Sequence, residues 1–280
     1  MLSLNLVDKM FSGPSAGSNL NEPNPYIEWI REYQNEDFVV VTDNSLKDPA
    51  RLPFKHRIAW LFESPNPKIR TLYRMRKKWR FREFEKVFTY DKRLLDCGNK
   101  FAFCPLGGSW IKREDWMVYP KSTNLSILAS PKNDLPGHQL RHKVIAKHQA
   151  EMDGLFGNPH NFVKDKIDAL RDFRYSIVIE NQRLDYYFSE KIIDAFASGT
   201  VPIYWGCPSL GKFFNMDGII HFETLEELEM IIPTLSQDDY ERRLPAIIEN
   251  FASALEYRIP ENGLHDGLLK HPALMAHFKS

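Results

Sequence analysis

Residues 175–215 constrain this chain more than any other stretch, because two short β-branched runs flank a single amphipathic helix in one continuous arrangement. Ser176 to Ile179 is a strand-type run that ends in the polar pair Glu180 and Asn181, as a parallel strand does at its carboxyl edge. Ser189 can cap a helix whose Ile192, Ile193, Ala195, Phe196 and Ala197 face a sheet, and Gly199 supplies its stop. Val201 to Trp205 is the next strand. In open α/β sheets ligands bind beyond the carboxyl ends of strands, where the free N–H groups of helix N-termini favour phosphate. Glu190 and Lys191 stand at that place. By themselves they are also what any helix start carries, an acid matched to the dipole and a solvated lysine.

At 280 residues the chain is long enough for two domains, each with a substantial core. Its 37 basic and 37 acidic residues balance, so no global field draws it to nucleic acid or to a membrane, and partners must be read locally. Cys97, Cys104 and Cys207 are odd in number and form no C-x-x-C pair, which reads as free thiols in a reducing compartment. No apolar run approaches the roughly 20 residues that span a bilayer, and the start MLSLNLVDKM has neither a basic n-region nor an h-region. The expected localisation is cytoplasmic.

Strand-type runs recur through both halves. Leu4 to Val7, Phe38 to Thr42, Arg57 to Phe62 and Lys86 to Tyr90 precede the middle of the chain, with a loop from Ser12 to Pro25 and a helix expected over Tyr26 to Tyr33. Leu125 to Ala129, Ser176 to Ile179, Val201 to Trp205 and Gly218 to Phe222 follow it. These alternate with helices from about His138, from Thr224 with Glu227 as a capping box, and over Gln237 to Tyr257. The polar run Lys121 to Asn124 is the natural linker. It divides the chain into residues 1–121 and 122–280. Alternating strands and helices in two halves suit two Rossmann-like domains.

The run Ile179-Glu180-Asn181, Tyr187-Phe188-Ser189-Glu190-Lys191 and Gly199-Thr200-Val201-Pro202-Ile203-Tyr204-Trp205-Gly206 resembles the donor-binding motif of family 10 glycosyltransferases, the α-1,3/α-1,4-fucosyltransferases. Pro208-Ser209 and Lys212-Phe213-Phe214-Asn215 look like the bacterial members. Ile179 stands where Phe is usual, Ser189 where Thr is, and Phe173 where many members have Tyr. The resemblance implies a GT-B fold of two facing Rossmann-like domains with a cleft between them. It also implies an inverting enzyme that moves L-fucose from GDP-fucose to a hydroxyl of a glycan acceptor. A family 10-like transferase using another nucleotide sugar stays open, as does a non-catalytic glycan- or nucleotide-binding protein on the same fold.

Within that frame Glu63, in Phe62-Glu63-Ser64-Pro65 after a strand, resembles the family's general base, the carboxylate that deprotonates the acceptor hydroxyl. Arg141 resembles the family Arg that grips the leaving diphosphate. Ser130, Asn181, Tyr187, Glu190 and Lys191 complete the expected donor site, with Tyr186 an equal aromatic candidate beside Tyr187. The chain has no D-x-D tripeptide. The charge on the leaving group is therefore expected to be met by Arg141, Lys191 and helix N-termini, with no metal site, no required cofactor and a divalent ion at most stimulatory. His138 and His142 lie at i, i+4 but lack the Glu of H-E-x-x-H and an evident third ligand. The basic, aromatic-rich residues 74–82 read first as a solvated helix face and otherwise as a peripheral membrane contact, with no nucleic-acid partner expected. Gly107-Gly108 is a turn signal only.

Overall fold

The computed structural model describes residues 1–9, 13–15, 24–32, 38–46, 53–65 and 81–270. The chain forms two compact units, residues 1–108 with 259–280, and residues 109–258.

The first unit is built on a six-stranded parallel sheet of order β2-β1-β3-β4-β5-β6, comprising β1 Leu2–Val7, β2 Ile27–Ile30, β3 Phe38–Thr42, β4 His56–Leu61, β5 Lys86–Thr89 and β6 Phe101–Phe103. Val39, Val40, Val41, Ile58, Ala59, Trp60, Val87 and Phe88 are fully buried, as continuous apolar strands of a parallel sheet must be when both faces are covered. Tyr26 to Tyr33, expected as a helix, instead contributes β2, paired in register with β1 from Leu2↔Ile27 to Asn5↔Ile30. The apolar spacing of Ile27 and Ile30 fits either state, and the open edge of β1 decided it. The loop expected over Ser12 to Pro25 and the basic residues 74–82 fall largely outside the described residues. The helix Pro260–Leu269 closes this unit, with Leu264 and Leu268 fully buried beside Phe88 and Trp60. Within it Glu261 accepts hydrogen bonds from Ser15 Oγ and Trp29 Nε1, both at 2.9 Å.

The second unit has a five-stranded parallel sheet of order β11-β10-β9-β7-β8, with β7 Thr123–Leu128, β8 Gly154–Phe156, β9 Phe173–Ile179, β10 Val201–Trp205 and β11 Ile220–His221. Helices Pro136–His148, Glu190–Ala197, Leu225–Ile231 and Gln237–Glu256 accompany it. Thr224 caps the third of these by accepting from the Glu227 N–H at 3.2 Å, one half of the box expected from the sequence, while Glu227 Oε2 accepts from Glu223 N–H at 2.7 Å. Gly199, at φ 72°, ends the helix Glu190–Ala197 in the left-handed region that glycine occupies without strain.

The units are bounded differently from the expected cut after residue 121. Residues 109–121 belong to the second unit: Ser109 Oγ donates to Asp194 Oδ1 at 2.6 Å, and Met117 N–H donates to Ala197 O at 3.0 Å. Lys121, read as linker, is a staple. Its ammonium donates to Ser198 O at 2.7 Å, Arg171 O at 3.0 Å and Thr200 Oγ1 at 3.0 Å. Burial pushes that ammonium down to about 7, opposed by Asp172. Composition alone could not distinguish a polar linker from a polar side chain folded inward. No helix among the described residues is long and apolar enough to cross a membrane.

Candidate functional site

The carboxyl edge of β9 carries the site in the second unit. The helix Glu190–Ala197 starts there because Ser189 adopts extended backbone and its side chain accepts from Lys191 N–H. Its apolar face of Ile192, Ile193, Ala195 and Phe196 is fully buried, so packing fixes where the helix begins. Glu180, just past β9, is fully buried and accepts from Ser189 N–H at 2.9 Å and Ser189 Oγ at 2.6 Å. Burial raises its carboxyl above the usual range, while Lys191 and Ser189 oppose this.

Lys191 Nζ lies 2.9 Å from Glu190 Oε1, 3.1 Å from Ser189 Oγ and 3.8 Å from Glu180 Oε2. Burial disfavours the charge on Lys191, but Glu190 and Glu180 outweigh it and hold the ammonium above its ordinary value. For Glu190 burial acts upward, yet Lys191 and Lys166 prevail and hold it down at about 2. Both groups are half-buried and charged.

Arg141 sits one turn into the helix Pro136–His148 and is buried. Its Nε donates to Ile179 O at 3.0 Å and its Nη2 to Ile179 O and, at 3.0 Å, to Asn181 Oδ1. The guanidinium thus caps the end of β9, and Nη1 has no hydrogen bond to a described residue. The helix reaches the strand end closely enough that Gly137 N–H donates to Asn181 O at 3.0 Å. A Cβ at Gly137 would lie 1.7 Å from Glu180 O. His138 is buried, with Nδ1 2.8 Å from Asp134 Oδ1. Burial, then the neighbouring Arg141, lowers its pKa, while Asp134 and a hydrogen bond with Asn181 act upward, so the imidazole is held toward the neutral form.

The structure therefore brings Arg141, Asn181, Glu190 and Lys191 together around one strand end. Tyr187 joins them: it is buried, with its phenol in the field of Arg141 and of Tyr204. Tyr186, the other aromatic candidate, turns outward at φ 63°, with its N–H donating to Ser209 Oγ at 2.9 Å and its hydroxyl accepting from Lys212 Nζ at 2.7 Å. Ser130 is half-buried past the end of β7, on the same edge of the sheet, with no hydrogen bond joining it to the others. His142 Nε2 contacts Lys132 O at 2.9 Å while His138 faces Asp134, and no group of three metal-ligating side chains occurs among the described residues.

Sequence reasoning missed the outer charges. Asp194 is fully buried in the helix Glu190–Ala197, and its carboxylate is paired with Lys166 and accepts from Trp110 N–H at 3.0 Å. Burial raises its pKa, and Lys166 and Ser109 oppose this. Three cations, Arg141, Lys166 and Lys191, thus share this region with Glu180, Glu190 and Asp194. Lys166 had no signal in sequence, since it lies in a short 3-10 turn, Lys166–Ala169, outside the motif that begins at Ile179.

In the first unit Glu63 stands two residues past β4, half-buried. Its backbone is held from both sides: Asp43 Oδ2 accepts from Phe62 N–H at 3.1 Å and from Glu63 N–H at 3.0 Å, and Tyr90 O–H donates to Glu63 O at 2.8 Å.

No family model matches the chain. A stretch of 70 residues is 37% identical to the alpha-(1,3)-fucosyltransferase FucT of Helicobacter pylori, covering 25% of this chain and 15% of that protein. Another of 73 residues is 30% identical to an alpha-(1,4)-fucosyltransferase of Arabidopsis thaliana, covering 25% and 18%. The matched stretches thus span under a fifth of these relatives' own length. A crystal structure of alpha1,3-fucosyltransferase with GDP superposes on 91% of this chain and 88% of its own with TM-score 0.58 at 18% identity. Anabaena HepE in complex with UDP-glucose covers 96% and 99% with TM-score 0.59 at 12% identity. The sequence resemblance to fucosyltransferases is thus local, and the likeness of structure gives the fold class, two Rossmann-like units as in GT-B glycosyltransferases.

Proposed function

We propose that the protein is an inverting glycosyltransferase that moves L-fucose from GDP-fucose onto a hydroxyl of a glycan. The observation that carries this reading is the convergence of Arg141, Asn181, Tyr187, Glu190 and Lys191 at one strand end, the place where a parallel α/β sheet binds nucleotides. The fucosyltransferase names of the matched relatives support the choice of sugar. In the reaction a base, assigned to Glu63, takes the acceptor hydroxyl proton as that oxygen bonds to the anomeric carbon. The bond from the anomeric carbon to the β-phosphate oxygen breaks, and its electron pair leaves on GDP. Lys191 and Arg141 stabilise the charge that grows there, a role needing no metal. Glu190, held ionised, accepts hydrogen bonds from donor hydroxyls, and Ser130 is assigned to the nucleotide. The three free cysteines accord with a cytoplasmic enzyme.

The test is a panel of GDP-, UDP-, CMP- and dTDP-sugars, read by calorimetric titration and by release of the free nucleotide with glycan acceptors. GDP-fucose is expected to bind most tightly and to release GDP only when acceptor is present. Tight binding of another nucleotide sugar would move the donor assignment. Binding without turnover on any acceptor would favour the non-catalytic reading.

A further inference from the structure

Glu63 is the one expected catalytic group in the first unit, and what fixes it there is visible in the sheet. The order β3-β4-β5 places β4 between two neighbours, and each sends one side chain to the peptide just past its end. Asp43 follows β3 directly, at the start of the short 3-10 turn Asp43–Ser45. It is 3% exposed, and a single oxygen accepts both the Phe62 and the Glu63 N–H. Tyr90 follows β5 and fastens the Glu63 carbonyl. Both polar ends of residue 63 are thereby tied to rigid parallel strands. A base on an otherwise unsupported loop cannot keep the sub-ångström placement that proton abstraction needs.

Extending the proposed role of Glu63, on which this rests, we propose that Asp43 is the positioning residue of the general base, with Tyr90 its counterpart on the other side. The nearly complete burial of Asp43 keeps it from acting as the base itself, whereas Glu63 is half-buried and can meet a substrate. Among the described residues, the charged neighbours facing Asp43 are Glu63 and Asp8, the latter just past β1. Burial first, then the charge of Glu63, raises the Asp43 carboxyl well above its ordinary value, against the two N–H donors that act downward.

The experiment compares wild type, Glu63→Gln, Asp43→Asn, Asp43→Ala and Tyr90→Phe. It reads kcat and donor KM for transfer, GDP affinity by calorimetry, and amide hydrogen exchange at Phe62 and Glu63. Asp43→Asn keeps an acceptor in place and is expected to retain at least about a tenth of kcat, whereas Asp43→Ala loses about 100-fold with GDP affinity within about twofold. Tyr90→Phe falls between them. Exchange at Phe62 and Glu63 accelerates in Asp43→Ala and not in Asp43→Asn. Wild-type kcat in Asp43→Ala despite faster exchange overturns the proposal, as does unchanged exchange. Should Asp43→Ala fail to fold, wild-type kcat in Tyr90→Phe together with faster Glu63 exchange overturns it equally. A fully active Glu63→Gln sinks the base assignment instead, and the exchange data still decide whether Asp43 holds the peptide.

Discussion

Replacing Gly137 by Ala is the sharpest test of how closely the helix Pro136–His148 must approach the end of β9. A methyl there would lie 1.7 Å from Glu180 O, 2.8 Å from Glu180 C and 3.0 Å from Asn181 C, all backbone atoms that cannot rotate aside. An ordinary contact begins near 3.4 Å, so helix and strand end must part by the difference, 3.4 − 1.7, or about 1.7 Å. The Gly137 N–H to Asn181 O bond, now 3.0 Å, then passes out of hydrogen-bond range, and the Arg141 grip on Ile179 O stretches with it. Helix propensity alone favours Ala over Gly by at most about 1 kcal/mol. Overpacking costs about 1–3 kcal/mol, and the weakened hydrogen bonds about 1 kcal/mol each. The net sign is destabilising, by about 2–4 kcal/mol, which lowers Tm by roughly 4–16 °C for a unit of this size. Displacing Arg141 by more than 1 Å should also weaken GDP binding about 100-fold. Calorimetric melting and GDP titration read both, with Gly211→Ala as control, where a Cβ meets only the flexible Met216 side chain at 3.2 Å. A Gly137→Ala protein that melts at or above wild type and binds GDP normally would refute the packing argument.

Three further outcomes are expected. Lys191→Ala and Arg141→Ala each weaken donor binding or slow transfer by about 2–4 kcal/mol, and the double variant loses less than the sum because both serve one charge; wild-type GDP titrations and turnover in both would place the donor elsewhere. Transfer persists after exhaustive EDTA treatment, whether or not Mn²⁺ stimulates it; loss on chelation with recovery on one metal would return His138 and His142 as ligand candidates. Lys121 has a folded-state pKa near 7 against 10.5 for the ordinary group, so the unfolded chain binds more protons between those values and stability rises with pH across that window. Relative to Lys121→Met, the wild type should gain up to about 1.4 kcal/mol per pH unit from pH 7 upward, and parallel Tm–pH curves for the two would show that the ammonium is not buried as described.

The strands that cross the middle of each sheet were legible from the chain, since Phe38–Thr42 and Val201–Trp205 are runs that only a doubly covered strand needs. Of the four edge strands only β11, within the run expected over Gly218 to Phe222, was. β2, β6 and β8 are three or four residues long, too short to show a period, and their state follows from a neighbour's unpaired edge. The motif around Ser189 to Lys191 was visible because its spacing is set by one helix start, and Tyr186 and Tyr187 could be separated only by the backbone turn that sends one out and the other in. Lys166, Asp194 and Asp43 act through partners 19 or more residues away, which spacing along the chain does not register.

The return of the helix Pro260–Leu269 to the first unit makes that unit discontinuous in sequence. Synthesis from the amino end delivers residues 109–258 ahead of Glu261, Leu264 and Leu268, which finish the unit that began first. The later-encoded unit can therefore mature earlier, and the earlier one must wait with the Trp60 and Phe88 side of its sheet uncovered. A released chain truncated near residue 258 should be protease-resistant over 109–258 and sensitive over the first hundred residues. The position of Glu63 would then become fixed only once the helix Pro260–Leu269 has been delivered.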